Sequence, residues 1–127
     1  MGVAYFIVLD NSDPGFDTFV NGKAIARHRG EIYGITNKLG LKGIDDLTSF
    51  GGWDEELDAP EENRETITPW FDPQEGIDWV AAIRQHIEAN NKAVTKPHAV
   101  LTELREYEEV LQQAATIGAK WHFEIDV

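Results

Sequence analysis

Residues 121–127 read WHFEIDV, a strict alternation that places Trp121, Phe123, Ile125 and Val127 on one side and His122, Glu124 and Asp126 on the other. A period of two is the signature of a strand with one buried and one wet face. At the opposite end, AYFIVL at residues 4–9 is a continuous apolar run closed by Asp10, the pattern of a buried strand. Strands at both ends, with helical patterns between them, predict an α+β fold whose small sheet includes the N- and C-terminal strands. A lone pair of strands is marginal in water. Helices must therefore cover it, or the middle of the chain must supply a further strand.

Three main helices are predicted. Ile25, His28, Ile32, Ile35 and Leu39 recur at three and four, with Gly40 placed as a C-cap. Gly30 and Gly34 weaken that stripe, by about 1 kcal/mol each relative to alanine. Leu41, Ile44, Leu47 and Phe50 follow as a short helical turn or packed loop before Gly51-Gly52, with Asp45-Asp46 placed to cap the turn. Asp72-Pro73-Gln74-Glu75 then sets Asp at N-cap, Pro at N1 and Glu at N3 of a helix running to about Asn90 and burying Ile77, Val80, Ile83 and Ile87. The last helix follows Thr95-Lys96-Pro97. It buries Val100, Leu101, Leu104, Tyr107, Leu111, Ala114 and Ala115, ends at Gly118, and has Arg105 and Glu109 spaced to pair on its exposed side. Trp79 and Trp121, inside regular elements, read as core.

The 127 residues, 42% of them hydrophobic, suit one compact domain over 1–127. The absence of cysteine removes disulfides, thiolate catalysis and cysteine-ligated zinc, and gives an extracellular setting no support. No apolar run has the flanks of a signal peptide or the length of a membrane span, so a cytoplasmic protein is expected. The net charge of −12 is concentrated: residues 45–78 carry twelve acids and only Arg64 as a base. Such a field repels nucleic acid and anionic membrane and attracts a basic protein or cations. Its densest part is an acidic, proline-containing loop at about 51–71, expected at the surface and pinned by Trp53 at one end and Trp70-Phe71 at the other.

Chemistry-bearing motifs are scarce. Asp10-Asn11-Ser12-Asp13-Pro14-Gly15 resembles an EF-hand start, but Pro14 occupies position 5 and Asn21 position 12, where oxygen ligands and a bidentate glutamate are required. Asn-x-Asp-Pro-Gly is better read as a turn, after which Asp17 or Asn21 caps the next helix. Gly22-Lys23 is followed by Ala24 and lacks the earlier glycine of a phosphate loop, and neither Ser12 nor Ser49 sits in a nucleophile elbow. The histidines, His28, His86, His98 and His122, form no local zinc pair. His28 reads as a core histidine, His98 as a first-turn residue and His122 as a residue on the wet side of the last strand. No metal site and no cofactor are expected.

Two functions compete on these residues. The first is a non-enzymatic protein-interaction module that binds a basic partner through an acidic, tryptophan-flanked surface. Its residues are Trp53, Glu55, Glu56, Asp58, Glu61, Glu62, Trp70 and Phe71. The alternative is a small hydrolase or isomerase with a histidine–carboxylate site assembled across elements around His28 or His86. Self-association through Trp53 or Trp70 is compatible with the same residues.

Overall fold

The computed structural model describes residues 3–49 and 69–126. Strand β1 (Ala4–Leu9) pairs antiparallel with β2 (Trp121–Asp126), so the two chain ends lie side by side in one two-stranded sheet. The register sets Tyr5 opposite Ile125, Ile7 opposite Phe123 and Leu9 opposite Trp121, which gathers the largest apolar side chains on one face. Between the strands run α1 (Lys23–Arg27), α2 (Arg29–Leu39), a 3₁₀ turn (Ile44–Leu47), α3 (Pro73–Ala89) and α4 (Pro97–Thr116). The α+β architecture, with a terminal-strand sheet packed on three main helices, agrees with the sequence pattern.

Helices α3 and α4 cover the apolar face. Phe123 is the hub: the rings of Tyr107 and Trp121 lie 5.1 and 4.9 Å from it and that of Trp79 5.9 Å, each edge-on. Edge-to-face geometry sets the positive ring rim against the negative ring face, adding to the gain from apolar burial. The buried polar atoms of these aromatics are satisfied. Tyr107 Oη donates to the Tyr5 carbonyl at 2.7 Å, Trp79 Nε1 to the Lys42 carbonyl at 2.8 Å and Trp121 Nε1 to the Asp72 carbonyl at 3.0 Å. On the far side of the helix pair, Arg84 from α3 grips Glu108 from α4 with two bonds of 2.8 and 3.1 Å.

The helix ends follow their local chemistry, with revisions. Asp72 Oδ1 accepts from the Gln74 N–H as an N-cap should, but Glu75 does not reach back to complete a box; it pairs with Lys42 at 2.8 Å. Asp46 caps the 3₁₀ turn by accepting from the Gly43 N–H at 3.0 Å. The stripe expected over residues 25–39 is broken at His28 into α1 and α2, and Leu39 at its end is exposed. Ala115 is also exposed, whereas Val110, outside the expected stripe, is buried. Arg105 pairs across to Glu88 of α3 at 3.0 Å rather than along α4 to Glu109. Phe50 and Val127 lie outside the described residues.

Helix α1 shows why a short helix survives here. Its cap, Gly22, has φ +70°, and a Cβ added there would lie 2.0 Å from the Tyr5 carbonyl oxygen, so only glycine fits. The Gly22 carbonyl accepts from the Tyr5 N–H at 3.3 Å, tying α1 to the edge of β1. Asn21 accepts from the Lys23 N–H at 3.2 Å, and the next two amides are satisfied from outside the segment. Glu103 of α4, buried at 7% exposure, accepts from the Ala24 and Ile25 N–H groups at 3.2 and 2.9 Å. Glu103→Ala leaves two amides and a void, and is expected to lower stability by about 3 kcal/mol in urea unfolding, against about 1 for Glu103→Gln. Equal losses in the two variants would show that the carboxylate is not what holds α1.

Candidate functional site

The candidate surface is built on the outer edge of β2, the edge that does not face β1. Phe71 exchanges both backbone bonds with Trp121, at 2.8 and 3.0 Å, and the Ser49 N–H donates to the Phe123 carbonyl at 2.8 Å. The described chain therefore leaves β2 at Thr48-Ser49 and returns to it at Pro69–Phe71, within two residues along the same strand. The acidic run that joins these anchors carries Trp53, Glu55, Glu56, Asp58, Glu61 and Glu62, which lie outside the described residues. Of the two expected pins, Phe71 is held on β2 by its backbone, and Trp53 lies outside the described residues. At the other end the described anchor is the Thr48-Ser49 backbone.

His122 corrects the wet-face reading of the last strand. It is buried at 2% exposure beneath Trp70, whose ring stacks on the imidazole at 4.1 Å with the planes 28° apart. Nδ1 lies 2.8 Å from the Pro69 carbonyl, and Nε2 lies 2.8 Å from Glu124 Oε2. A carbonyl only accepts, so Nδ1 carries a proton and donates it. The second bond, facing a carboxyl group, is made by a proton on either the ring or Glu124. The alternation of strand residues was correct about direction. It could not reveal that Pro69-Trp70 lie over that direction.

Trp70 itself remains 39% exposed, with its inner face on His122. Phe71 is partly buried, its ring 6.0 Å from that of Trp121, and Lys42 Nζ sits 5.2 Å above it. The pair thus divides its work: Phe71 closes the core and Trp70 presents an aromatic surface held by a stack.

The histidine–carboxylate alternative meets a different geometry. His28, at the break between α1 and α2, places Nδ1 2.8 Å from Glu31 Oε1. Glu31 also accepts from the Thr95 N–H at 3.2 Å and hydroxyl at 2.9 Å. Those Thr95 bonds, foremost, and then His28 hold its carboxyl below the usual range, as a carboxylate tied to structure rather than poised to take a proton. His86 is partly buried on α3, and its imidazole makes no hydrogen bond among the described residues. The two candidates sit on separate segments, His28 between α1 and α2 and His86 within α3, and neither lines the hollows around Phe19. The opening Asp10–Gly15 stretch turns: Asn11 accepts from the Asp13 N–H at 2.9 Å, Asp10 accepts from the Lys120 N–H at 2.9 Å, and Gly15 has φ +86°. Among the described residues no group of three or more His, Asp or Glu side chains is gathered to hold a metal ion.

One polar cluster went unread in the sequence because its members are distant in the chain. Tyr5 Oη donates to Asp45 Oδ1 at 2.8 Å and accepts from Arg29 at 3.2 Å, while the Asp45 N–H donates to Tyr33 Oη at 3.3 Å. Burial pushes the Tyr5 hydroxyl up to about 12; Arg29 works against that shift and Asp45 adds to it. The hydroxyl is engaged on both sides, by Asp45 and Arg29, so the cluster reads as structure.

The Tyr5 shift fixes an alkaline limit. The tyrosine is protonated in the folded protein above the pH where the unfolded chain loses its proton, so its contribution is complete below about pH 10 and is lost as pH rises towards 12. Tyr107, raised by burial, acts in the same direction. Urea midpoints are expected to be level between about pH 7 and 10 and to fall above that, and Tyr5→Phe should flatten part of the alkaline fall. An unchanged slope in the variant would remove Tyr5 as its source. For the stack, His122→Ala should cost about 2 kcal/mol and increase acrylamide quenching of Trp70, read by difference against the same variant carrying Trp70→Phe. Quenching equal to the parent's would mean that Trp70 does not depend on the imidazole.

Compared with known proteins, the chain matches no family model, no curated sequence and no solved structure.

Proposed function

We propose that this protein is a non-enzymatic interaction module that binds a basic protein partner. The surface runs from Trp70 and Phe71 into the acidic stretch that carries Trp53, Glu55, Glu56, Asp58, Glu61 and Glu62. The observation that supports it most is the seating of Trp70: a large aromatic, 39% exposed, stacked on a buried histidine at the foot of the most acidic part of the chain. An aromatic held rigid beside charge supplies contact area with little conformational entropy left to lose, and the surrounding charge speeds encounter with an oppositely charged partner. No helix among the described residues is long and apolar enough to cross a membrane. The reading places the protein in the cytoplasm and assigns no role to nucleic acid or to a cofactor.

The test uses the protein as bait in host lysate at about 150 mM salt, where exposed ion pairs more than a Debye length apart are screened. A basic partner retained at stoichiometric level is then titrated against two folded variants. One is Trp70→Ala. The other combines Glu55→Gln, Glu56→Gln, Asp58→Asn, Glu61→Gln and Glu62→Gln. Each is expected to weaken binding by about tenfold or more, the charge variant chiefly through the association rate. Affinities unchanged in both variants would overturn the assignment of this surface.

A further inference from the structure

The same sheet has a second open place, at the outer edge of β1. There the chain between Asp17 and Asn21 runs beside the strand, and a groove of about 510 Å³ lies between them. Ala4, Phe6, Phe19 and Val20 give it apolar walls. Phe19 is 75% exposed, the most exposed large apolar side chain among the described residues, and is held upright where Asp17 Oδ1 accepts its N–H at 2.9 Å.

The backbone beside this groove is unfinished. Tyr5 turns its N–H and carbonyl away from β2, to the Gly22 carbonyl and to Tyr107 Oη. In an antiparallel ladder alternate residues face the same way, so Ile7 also directs its N–H and carbonyl outward. No described residue bonds them, and Ile7, 3% exposed with its side chain in the core, lines the groove.

The rim has one sign of charge. Asp17 and Asp126 border the groove, and on the other side of Phe19 a smaller hollow is lined by Asp17, Glu106 and Glu109. Among the described residues none of these four acids forms an ion pair, and no lysine or arginine lines either hollow. A second copy of the chain, at net charge −12, carries the same sign as the rim.

We infer that this groove docks an extended segment of a partner protein that carries lysine or arginine on both sides of a short apolar stretch. The segment sets an apolar side chain between Phe6 and Phe19 and exchanges backbone bonds with Ile7. Its cations face Asp17, Asp126, Glu106 and Glu109. Strand addition of this kind draws affinity from the main chain and specificity from the side-chain pockets. It shares with the proposed function only the charge of the partner, since Trp70 stands at the opposite edge of the sheet.

The probe is a fluorescein-labelled peptide, KRVTVTVRK, titrated by anisotropy and mapped by amide chemical shifts on the full chain. A control peptide has proline in place of the central valine, and another has glutamate in place of every lysine and arginine. Saturable binding is expected, with shifts centred on Ile7 and on residues 18–21. Phe19→Ser is expected to weaken it about tenfold, as is the triple variant Asp17→Asn, Glu106→Gln, Glu109→Gln, and both control peptides should bind weaker by a similar factor. Trp70→Ala should bind like the parent. Absence of binding, equal binding by the variants, or shifts confined to the Trp70 surroundings would overturn the inference, the last while leaving the Trp70 surface standing. A concentration-dependent dimer abolished by Phe19→Ser, with no gain from the peptide, would overturn it by seating a second copy in the groove.

Discussion

The pairing of β1 with β2 is the constraint on which the rest depends. Two strands alone do not hold in water, and here one face and both outer edges are each dealt with separately. Helices α3 and α4 cover the apolar face, where Tyr107 touches both strands: its ring meets Phe123 and its hydroxyl bonds the Tyr5 carbonyl. Gly22 closes part of the outer edge of β1, and Phe71 with Ser49 closes part of the outer edge of β2. The pairing also closes a long loop, since it joins segments 110 residues apart where the Lys120 N–H meets Asp10. The entropy of that closure is met by the many apolar groups it brings together at once.

Two buried polar side chains do what further strands would otherwise do. Glu103 receives backbone amides from α1, and His122 donates to the backbone carbonyl of Pro69. Removal from water makes each group costly unless its partners are in place, so each fixes one arrangement of a segment with little regular structure of its own. Through Glu103 the start of α1 is set against α4. Through His122 and its stack, Trp70 is set at the edge of the sheet.

Two groups stand out among the acids of the described residues. Asp10, Glu31, Asp45, Asp46, Asp72 and Glu103 accept backbone or hydroxyl hydrogens, and Glu88 and Glu108 are gripped by arginine; these hold the fold. Asp126, Glu106 and Glu109 form no ion pair among the described residues, and Asp17, although it holds Phe19, has none either. Unneutralised charge beside exposed Phe19 makes a surface suited to cations joined to an apolar chain, where uniform charge would serve only solubility.

Local chemistry alone was enough for the elements whose causes are local. The terminal strands, the Asp72-Pro73 helix start, the glycine stops at Gly40 and Gly118, and the turn at Asp10–Gly15 were legible because period, capping and backbone preference act within a few residues. Failures came wherever a distant segment supplied the partner. The break at His28 follows no rule of spacing, the burial of His122 comes from Pro69-Trp70 lying over it, and Glu103 reads as an ordinary helix-surface acid until α1 is placed against it. Arg105 chose Glu88 over Glu109 because α3 lies alongside α4, and the cluster of Tyr5, Arg29 and Asp45 joins residues up to forty positions apart. The sequence by itself determined the kinds of element and the sign of the charge. Only the tertiary structure decided which polar groups are buried and which aromatics stay exposed, because desolvation depends on neighbours that the chain brings from far away.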